Sequence, residues 1–415
     1  MTFEDLYNRL LKAAVNSKMP EELNLIENEG YDPHHLDCLI NPYKHEVVLR
    51  TGQCNCTPEE KDECKGKCLF DALFINPDGN IDINGENCVG CGDCVKNCKK
   101  ATMIESKDSL AMLEALYSAN RPVYAMIAPA FVNQYSDEIT PGKLRAAFKR
   151  IGFTGMVEVA LFADILTLKE ALEFDRNIKT EEDFQLTSCC CPMWIAMIRK
   201  VYSQLVSHVP AAVSPMVACG RSIKELYPGA ITVFIGPCMA KKAEAKEKDV
   251  RDSTDFVLTF KEIQDIFDFA GLNLKEMKED ERDHSSKAGR IYAGTGGVSE
   301  AVREAVKRIN PTREITVKTR HADGVAGCKK MLNDILAGAG NANFYEGMGC
   351  VGGCVGGPKA LIPKEEGKES VRRYGEEAIY KTPFDSPYVV KMLHELGLET
   401  VDSLLEERDI FIRKW

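Results

Sequence analysis

The sequence predicts an α/β core with a parallel sheet, preceded by a small cysteine-rich α+β module. Three observations point there. From about Ser109 onward, apolar strand candidates alternate with amphipathic helices through glycine-rich turns. Ahead of that texture, nine of the seventeen cysteines fall before Lys100. The chain has 415 residues, 44% hydrophobic and 28% charged, which is the composition of a globular protein long enough for two or three domains.

Residues 1–50 open on a helical stretch, LYNRLLKAAV, and turn irregular around Asp32 and Pro33. Residues 51–108 are rich in cysteine and turns, with a turn signal in NPDGN at 76–80. A stretch so poor in apolar side chains needs metal to hold it. Residues 109–358 form the α/β core. Within it RPVYAMIAPAF reads as a buried strand, TPGKLRAAFKRIGF as a helix capped at Thr140, and GAITVFIGP and GRIYAGTGG as further strands running into turns. Residues 359–415 form a tail in which a charged segment leads to helices near 386–397 and 400–407. A net charge of −10 argues against a nucleic-acid partner. No run of 18 apolar residues exists, so no membrane span is expected. The N-terminus lacks the pattern of a secretory or twin-arginine signal, which makes the cytoplasm the expected location.

In a reducing cytosol, clustered cysteines bind metal or do redox chemistry rather than form disulfides. The strongest local signal is Cys88-x2-Cys91-x2-Cys94-x3-Cys98, the spacing of a bacterial ferredoxin run, whose fourth cysteine ligates the other cluster. Its partner run, Cys54-x-Cys56-x7-Cys64-x3-Cys68, departs from the usual spacing, and the proline that normally follows each run is absent twice. The expected assignment is Cys54, Cys56, Cys64 and Cys98 on one [4Fe–4S] cluster, with Cys68, Cys88, Cys91 and Cys94 on the other. Zinc is the alternative, but it favours two separated pairs over three cysteines at successive two-residue gaps. Cys38, in DPHHLDC, is either a further ligand with His34 and His35 or a buried thiol beside two surface histidines.

Three later segments, TSCCCPMW (187–194), GPCMAKKAE (236–244) and EGMGCVGGCVGGP (346–358), put cysteine beside small residues or proline. Glycine lets backbone approach a bulky inorganic cluster. Four separated thiolates plus a lysine suit a large anionic metal centre with a cation against it. These segments resemble the three signature motifs of [FeFe]-hydrogenases, TSCCPxW, MPCxxKxxE and ExMxCxGGCxxGG, over roughly residues 120–360. APAF at 128–131 and GTGGVSEAV at 294–302 resemble further family segments. The TSCCCP form and Gly236 are most similar to the branch called group B.

The resemblance implies a core of two lobes with parallel sheets around a buried metal cluster, plus a ferredoxin-like domain. It implies reversible oxidation of H2 to protons and electrons at an H-cluster, a [4Fe–4S] cubane joined to a diiron unit carrying CO, cyanide and azadithiolate. Cys191, Cys238, Cys350 and Cys354 would ligate the cubane, Cys354 bridging to the diiron unit, with Pro129 and Ala130 lining the cofactor. Lys241 would donate to a cyanide ligand, and Lys242 would be solvated. Cys190 aligns with the thiol that exchanges a proton with the azadithiolate, and Glu170 and Glu173 with the carboxylates beyond it, one helical turn apart. A solvated helix face is the alternative for both glutamates. Met348 would pack against the diiron unit, with a core methionine as the alternative. Implied partners are ferredoxin or a similar small redox protein, and the maturases that insert the diiron unit.

The sequence departs from the family pattern at several points. Pro210 falls where the proton path has a serine, Ala130 where many members have a serine on cyanide, and Gly236 where a methionine packs on the diiron unit. Cys189 is an extra thiol: it loosens its loop, protects the open iron from oxygen, or is simply a small buried thiol. Cys219 and Cys328 lie outside the ligand patterns and read as packing residues. GTGGVSE also resembles a dinucleotide loop, but Ser299 stands where the third small residue belongs. Two rival readings remain. One is a non-catalytic iron–sulfur assembly factor, some of which end in tryptophan as this chain does in FIRKW. The other is an H2 sensor; the residues after Lys359 are too few for a sensory domain, so a sensor would act through a separate chain.

Overall fold

The structure, a computed structural model, describes every residue except 119, 188, 189, 281, 283, 407, 408, 414 and 415. Helix α1 (Phe3–Val15) starts at Thr2, which accepts from the Asp5 amide while the Asp5 carboxylate returns the bond to Thr2. Helices α2 (Met19–Ile26) and α3 (Pro33–Ile40) follow. Asp32 and Pro33 therefore open a helix rather than an irregular stretch. Asp32 accepts from the His34 amide at 2.9 Å, and proline suits the first turn, where an amide would lack a partner anyway.

The cysteine-rich region is built from short antiparallel pairs. It contains β1 (Val48–Arg50), α4 (Pro58–Gly66), the hairpin β2 (Leu73–Ile75) and β3 (Ile81–Ile83), α5 (Asp93–Asn97) and β4 (Met103–Glu105). β1 pairs with β4, and β2 with β3 across the turn at 76–80. Its apolar cluster is small and is bordered by Cys54, Cys64, Cys68, Cys88, Cys94 and Cys98.

The core begins with α6 (Ser109–Ser118) and the apolar strand β5 (Val123–Ile127). Then come α7 (Pro141–Arg150), capped at Thr140, β6 (Gly155–Glu158) and α8 (Ala160–Asn177). β7 (Gln185–Leu186), α9 (Pro192–Lys200), α10 (Pro215–Leu226), β8 (Ile231–Gly236) and α11 (Ala240–Lys246) follow. They lead to β9 (Phe256–Thr259), α12 (Phe260–Phe269), α13 (Lys287–Arg290), α14 (Gly297–Ile309), β10 (Thr319–Asp323), α15 (Gly324–Leu336) and β11 (Phe344–Met348).

Two parallel sheets result, one in the order β6-β5-β8-β9 and one in the order β10-β11-β7. Between crossings runs α8, buried on every side from Ala160 to Phe174. Such a helix belongs to the interior and carries its polar residues inward with it. In such sheets ligands sit beyond the carboxyl ends of the strands. Here Pro129 and Ala130 follow β5, Cys238 follows β8, Cys190 and Cys191 follow β7, and Cys350 follows β11.

Two element expectations need correction. GRIYAGTGG is not a strand but α13 and a short 3-10 turn (Ile291–Ala293), with a single isolated bridge from Gly294 to Gly353 as its strand-like pairing among the described residues. Asp164 of α8 decides this by accepting from the amides of Ser286 and Gly289, and Gly289 packs so closely that a Cβ would lie 2.0 Å from the Ala160 carbonyl. In the tail, α16 (Lys364–Glu376) went unread because its buried positions are mostly glycine and serine. Then α17 (Pro387–Glu395) lies where a helix was expected, and a 3-10 turn over Val401–Leu405 replaces the last one.

Candidate metal centre

The eight cysteines of the ferredoxin-like runs line one cavity of about 650 Å³, which also reaches Cys191, Cys238 and Cys350. Cys64 is acted on by Cys98 and Cys54 and, more weakly, by Cys68, and Cys56 by Cys54. Cys94 is acted on by Cys91, Cys88 and Cys68. The larger influences fall within the two expected sets of four, and the Cys68 influence on Cys64 crosses between them. No three of the eight have their sulfurs within 4.8 Å of one another. A single tetrahedral zinc, with Zn–S near 2.3 Å, would bring its sulfurs to about 3.8 Å. The spacing therefore suits a larger inorganic body than one ion.

The second group gathers beyond the strand ends. Cys354 faces Cys238, Cys191 and Lys241, and Cys350 faces Cys238, Cys191 and Cys354. Burial pushes the Cys238 thiol up to about 11 and Cys354 to about 12. Thiols so far from water become thiolates only against a cation, so the donor set fits a metal cluster. The backbone fits it too. The Gly349 amide donates to Cys191 Sγ at 3.2 Å, and Gly353 takes φ +86° where a Cβ would strike the Thr295 amide at 2.8 Å. The Cys88–Cys94 loop lies directly against this centre. Gly90 and Gly92 pack on Met239, a Cβ on Gly92 lying 2.8 Å from its sulfur, and Cys91 acts on Cys350.

The structure brings most of the proposed catalytic residues to the same place. Cys190 Sγ lies 3.9 Å from Met348 Sδ. Burial, then the negative charge of Cys191, Glu346, Cys354 and Glu170, holds Cys190 well above the usual thiol range, in its protonated form. Trp194 supports this loop, donating to the Thr187 carbonyl at 3.1 Å. Pro129, half-buried, and Ala130, buried, form a short turn after β5. Lys241 is buried, its ammonium 2.6 Å from Glu244. Ser188 and Cys189 lie outside the described residues, so the extra thiol has no position here. Cys219 and Cys328 are buried, and Cys328 donates to the Met348 carbonyl at 3.4 Å.

Several expectations change. Lys242 is not solvated. Its face of α11 turns inward, and Nζ lies 3.2 Å from Glu262 and 3.4 Å from Asp108. Glu170 and Glu173 do not occupy a solvated face, because α8 is the central helix. Glu173 accepts from Lys169 at 2.9 Å, and burial raises its pKa. It also lines an outer cavity of about 510 Å³ together with Arg176, Glu182, His208 and Pro210. At Gly236 a Cβ would lie 2.9 Å from the Phe234 ring, so Phe234 and Ala128 fill the space a larger residue would need.

The GTGGVSE turn does not present an open anion site. The Glu346 carboxylate, from the third motif, accepts from the amides of Gly296 and Ser299 and from the Ser299 hydroxyl at 2.7–2.8 Å. It thereby occupies the N-terminus of α14. The sequence alone assigns no role to Glu346 or Glu244, although both stand within the quoted motifs. Their fixed positions within those motifs were the available signal.

Residues 121–358, more than half of the chain, match the model of the iron-only hydrogenase large subunit, C-terminal domain. The chain belongs to that family. Within it, this member is 27% identical over 300 residues to iron hydrogenase 1 of Clostridium pasteurianum, covering 62% of this chain and 52% of that one. The chain thus spans about half the length of the clostridial relative. It is also 23% identical over 392 residues to cytosolic iron-sulfur assembly component 3 of Bos taurus, covering 77% of this chain and 81% of that one. A solved variant of the [FeFe]-hydrogenase of Chlamydomonas reinhardtii shares the fold, with a TM-score of 0.60 at 21% identity over 72% of this chain and 97% of that one. This family member is therefore a hydrogenase-like iron–sulfur protein whose relatives include both hydrogenases and assembly factors. Among the described residues no helix is long and apolar enough to cross a membrane.

Proposed function

We propose that the chain is an [FeFe]-hydrogenase of the group B kind, interconverting H2 with protons and electrons. One observation carries the reading: Cys191, Cys238, Cys350 and Cys354 converge beyond the ends of both sheets, with Cys190 and Met348 beside them. These four cysteines would hold the cubane of an H-cluster, with Cys354 shared with the diiron unit. When bound, that group supplies the redox chemistry of H2. The protein supplies the rest. Lys241, steadied by Glu244, balances anionic ligands. Ala130 and Met348, both buried, would exclude water from the cofactor, with Pro129 beside Ala130 in the same turn. Cys190 holds a proton at Sγ and passes it to Glu170, and Glu173 carries it on to the outer cavity, where Pro210 supplies no hydroxyl and His208 stands on the wall. The eight ferredoxin-like cysteines hold two [4Fe–4S] clusters, the Cys68, Cys88, Cys91 and Cys94 set adjoining Cys350. Electron exchange is with ferredoxin or a similar small redox protein, in the cytoplasm, after maturases have inserted the diiron unit. The domain assignment that goes with this reading is 51–108 for the ferredoxin-like unit and 109–358 for the catalytic core, flanked by 1–50 and 359–415.

The test is dye-linked H2 uptake by protein matured anaerobically. Wild type should turn over, Cys354→Ala should not, and Cys219→Ala should match wild type. The similarity to the bovine assembly component favours a second reading, in which the cubanes serve assembly without a diiron unit. Fully iron-loaded, matured protein with no H2 turnover would favour it.

A further inference from the structure

We propose that His34, Cys38 and His45 form a site for one divalent cation of the zinc class, separate from the iron–sulfur cysteines. His34 and Cys38 lie one turn apart on α3, and His45 follows the short 3-10 turn (Pro42–Lys44) beyond it. One donor atom from each lies within 4.8 Å of the other two, and among the described residues no other three histidine, cysteine or acidic side chains come so close.

The separations match a tetrahedral ion. Cys38 Sγ is 3.6 Å from His34 Nε2. A metal bound at about 2.3 Å to sulfur and about 2.0–2.1 Å to nitrogen sets that edge near 3.6 Å. A thiol donating to imidazole joins this pair, and His45 closes the third side, its ring edge-to-face with His34 at 5.4 Å between centroids. Asp37 accepts from His45 Nε2 at 2.7 Å and is itself held by the Asn41 amide at 2.7 Å. A carboxylate behind an imidazole fixes its tautomer and leaves the other nitrogen, Nδ1, to bind metal. His35, the neighbour in sequence, lies outside this cluster, and its Nε2 meets the Thr51 carbonyl at 3.2 Å.

One thiolate and two imidazoles make a donor set suited to zinc, with the fourth position left to water. Access is available, since His34 and His45 line a cavity of about 530 Å³ that opens beside β1. A bound ion would tie the end of α3 to the segment entering β1, and so to β4 of the ferredoxin-like region.

The experiment uses iron-loaded, chelator-washed full-length protein titrated with Zn²⁺, followed by metal analysis and zinc-edge X-ray absorption. The proposal expects one retained zinc per chain, with one sulfur near 2.3 Å and two or three nitrogen or oxygen neighbours near 2.0–2.1 Å. His34→Ala, on an exposed residue, should weaken binding at least tenfold with iron content unchanged. Cys38→Ser should do the same, and Asp37→Asn should weaken it about tenfold. Three results would overturn the proposal: no retained zinc, a shell of four sulfurs, or binding unchanged in a His34→Ala/His45→Ala variant.

Discussion

Glu173 separates a structural role from a proton-carrying one. It is 8% exposed, and its Oε1 accepts from the Lys169 ammonium at 2.9 Å, which also donates to the Leu404 carbonyl at 3.1 Å. Removing one partner of a buried ion pair costs about 3–5 kcal/mol. In Glu173→Gln the amide oxygen still accepts from Lys169, so the expected loss falls to about 1–3 kcal/mol, the worth of a hydrogen bond to a charged group. Adding Lys169→Met removes the stranded charge and should recover most of that loss, since neutral replacements for buried pairs are often tolerated. Activity should behave differently. A proton carrier in the path contributes about 10²–10⁴-fold, so H2 turnover should fall by at least ~100-fold in both variants. The assays are denaturant unfolding and dye-linked H2 uptake on matured protein. If the double variant regained both stability and turnover, Glu173 would be a structural partner of Lys169 and nothing more.

Other outcomes follow from the same geometry. Gly347→Ala would place a Cβ 2.0–2.5 Å from ring atoms of Trp194, which is fully buried. Overpacking of that kind costs about 1–3 kcal/mol or more, and iron content should drop with it as the Thr187–Cys191 loop shifts. Glu346→Gln turns an amide group toward backbone donors at the start of α14; the unfolding free energy should fall by about 2–4 kcal/mol, measured by chemical denaturation. Burial raises the Asp164 carboxyl to about 7 against the donors from Ser286 and Gly289. Its folded pKa lies above the unfolded value, so folding takes up a proton between about pH 4 and 7. Stability should therefore fall as pH rises from 5.5 to 7, by up to about 1.4 kcal/mol per unit, and Asp164→Asn should flatten that slope.

The strands that position the centre were legible because their signals are local. Val123–Ile127 and Ile231–Gly236 are apolar runs ending in proline or glycine, and Thr140 is followed by Pro141. That the two ferredoxin-like runs meet was also legible from their spacing, and the fold brings all eight of their thiols to one cavity. Long-range contacts were not. GRIYAGTGG has the apolar and glycine content of a strand, and its helical turn is held by Asp164, more than a hundred residues away, together with the Ser286 cap. Lys242 reads as a surface residue until Glu262 and Asp108 are brought to it. At Gly236 the sequence shows a missing side chain, whereas the fold shows Phe234 in its place. The short distances among His34, Cys38 and His45 depend on a turn whose geometry spacing alone does not reveal.

An infrared spectrum of anaerobically matured protein in the metal-carbonyl and cyanide region shows whether this chain holds a diiron unit. Sharp CO and cyanide bands that shift under H2 are expected. Protein whose cubanes are fully loaded, yet which shows no such bands, would contradict the hydrogenase reading.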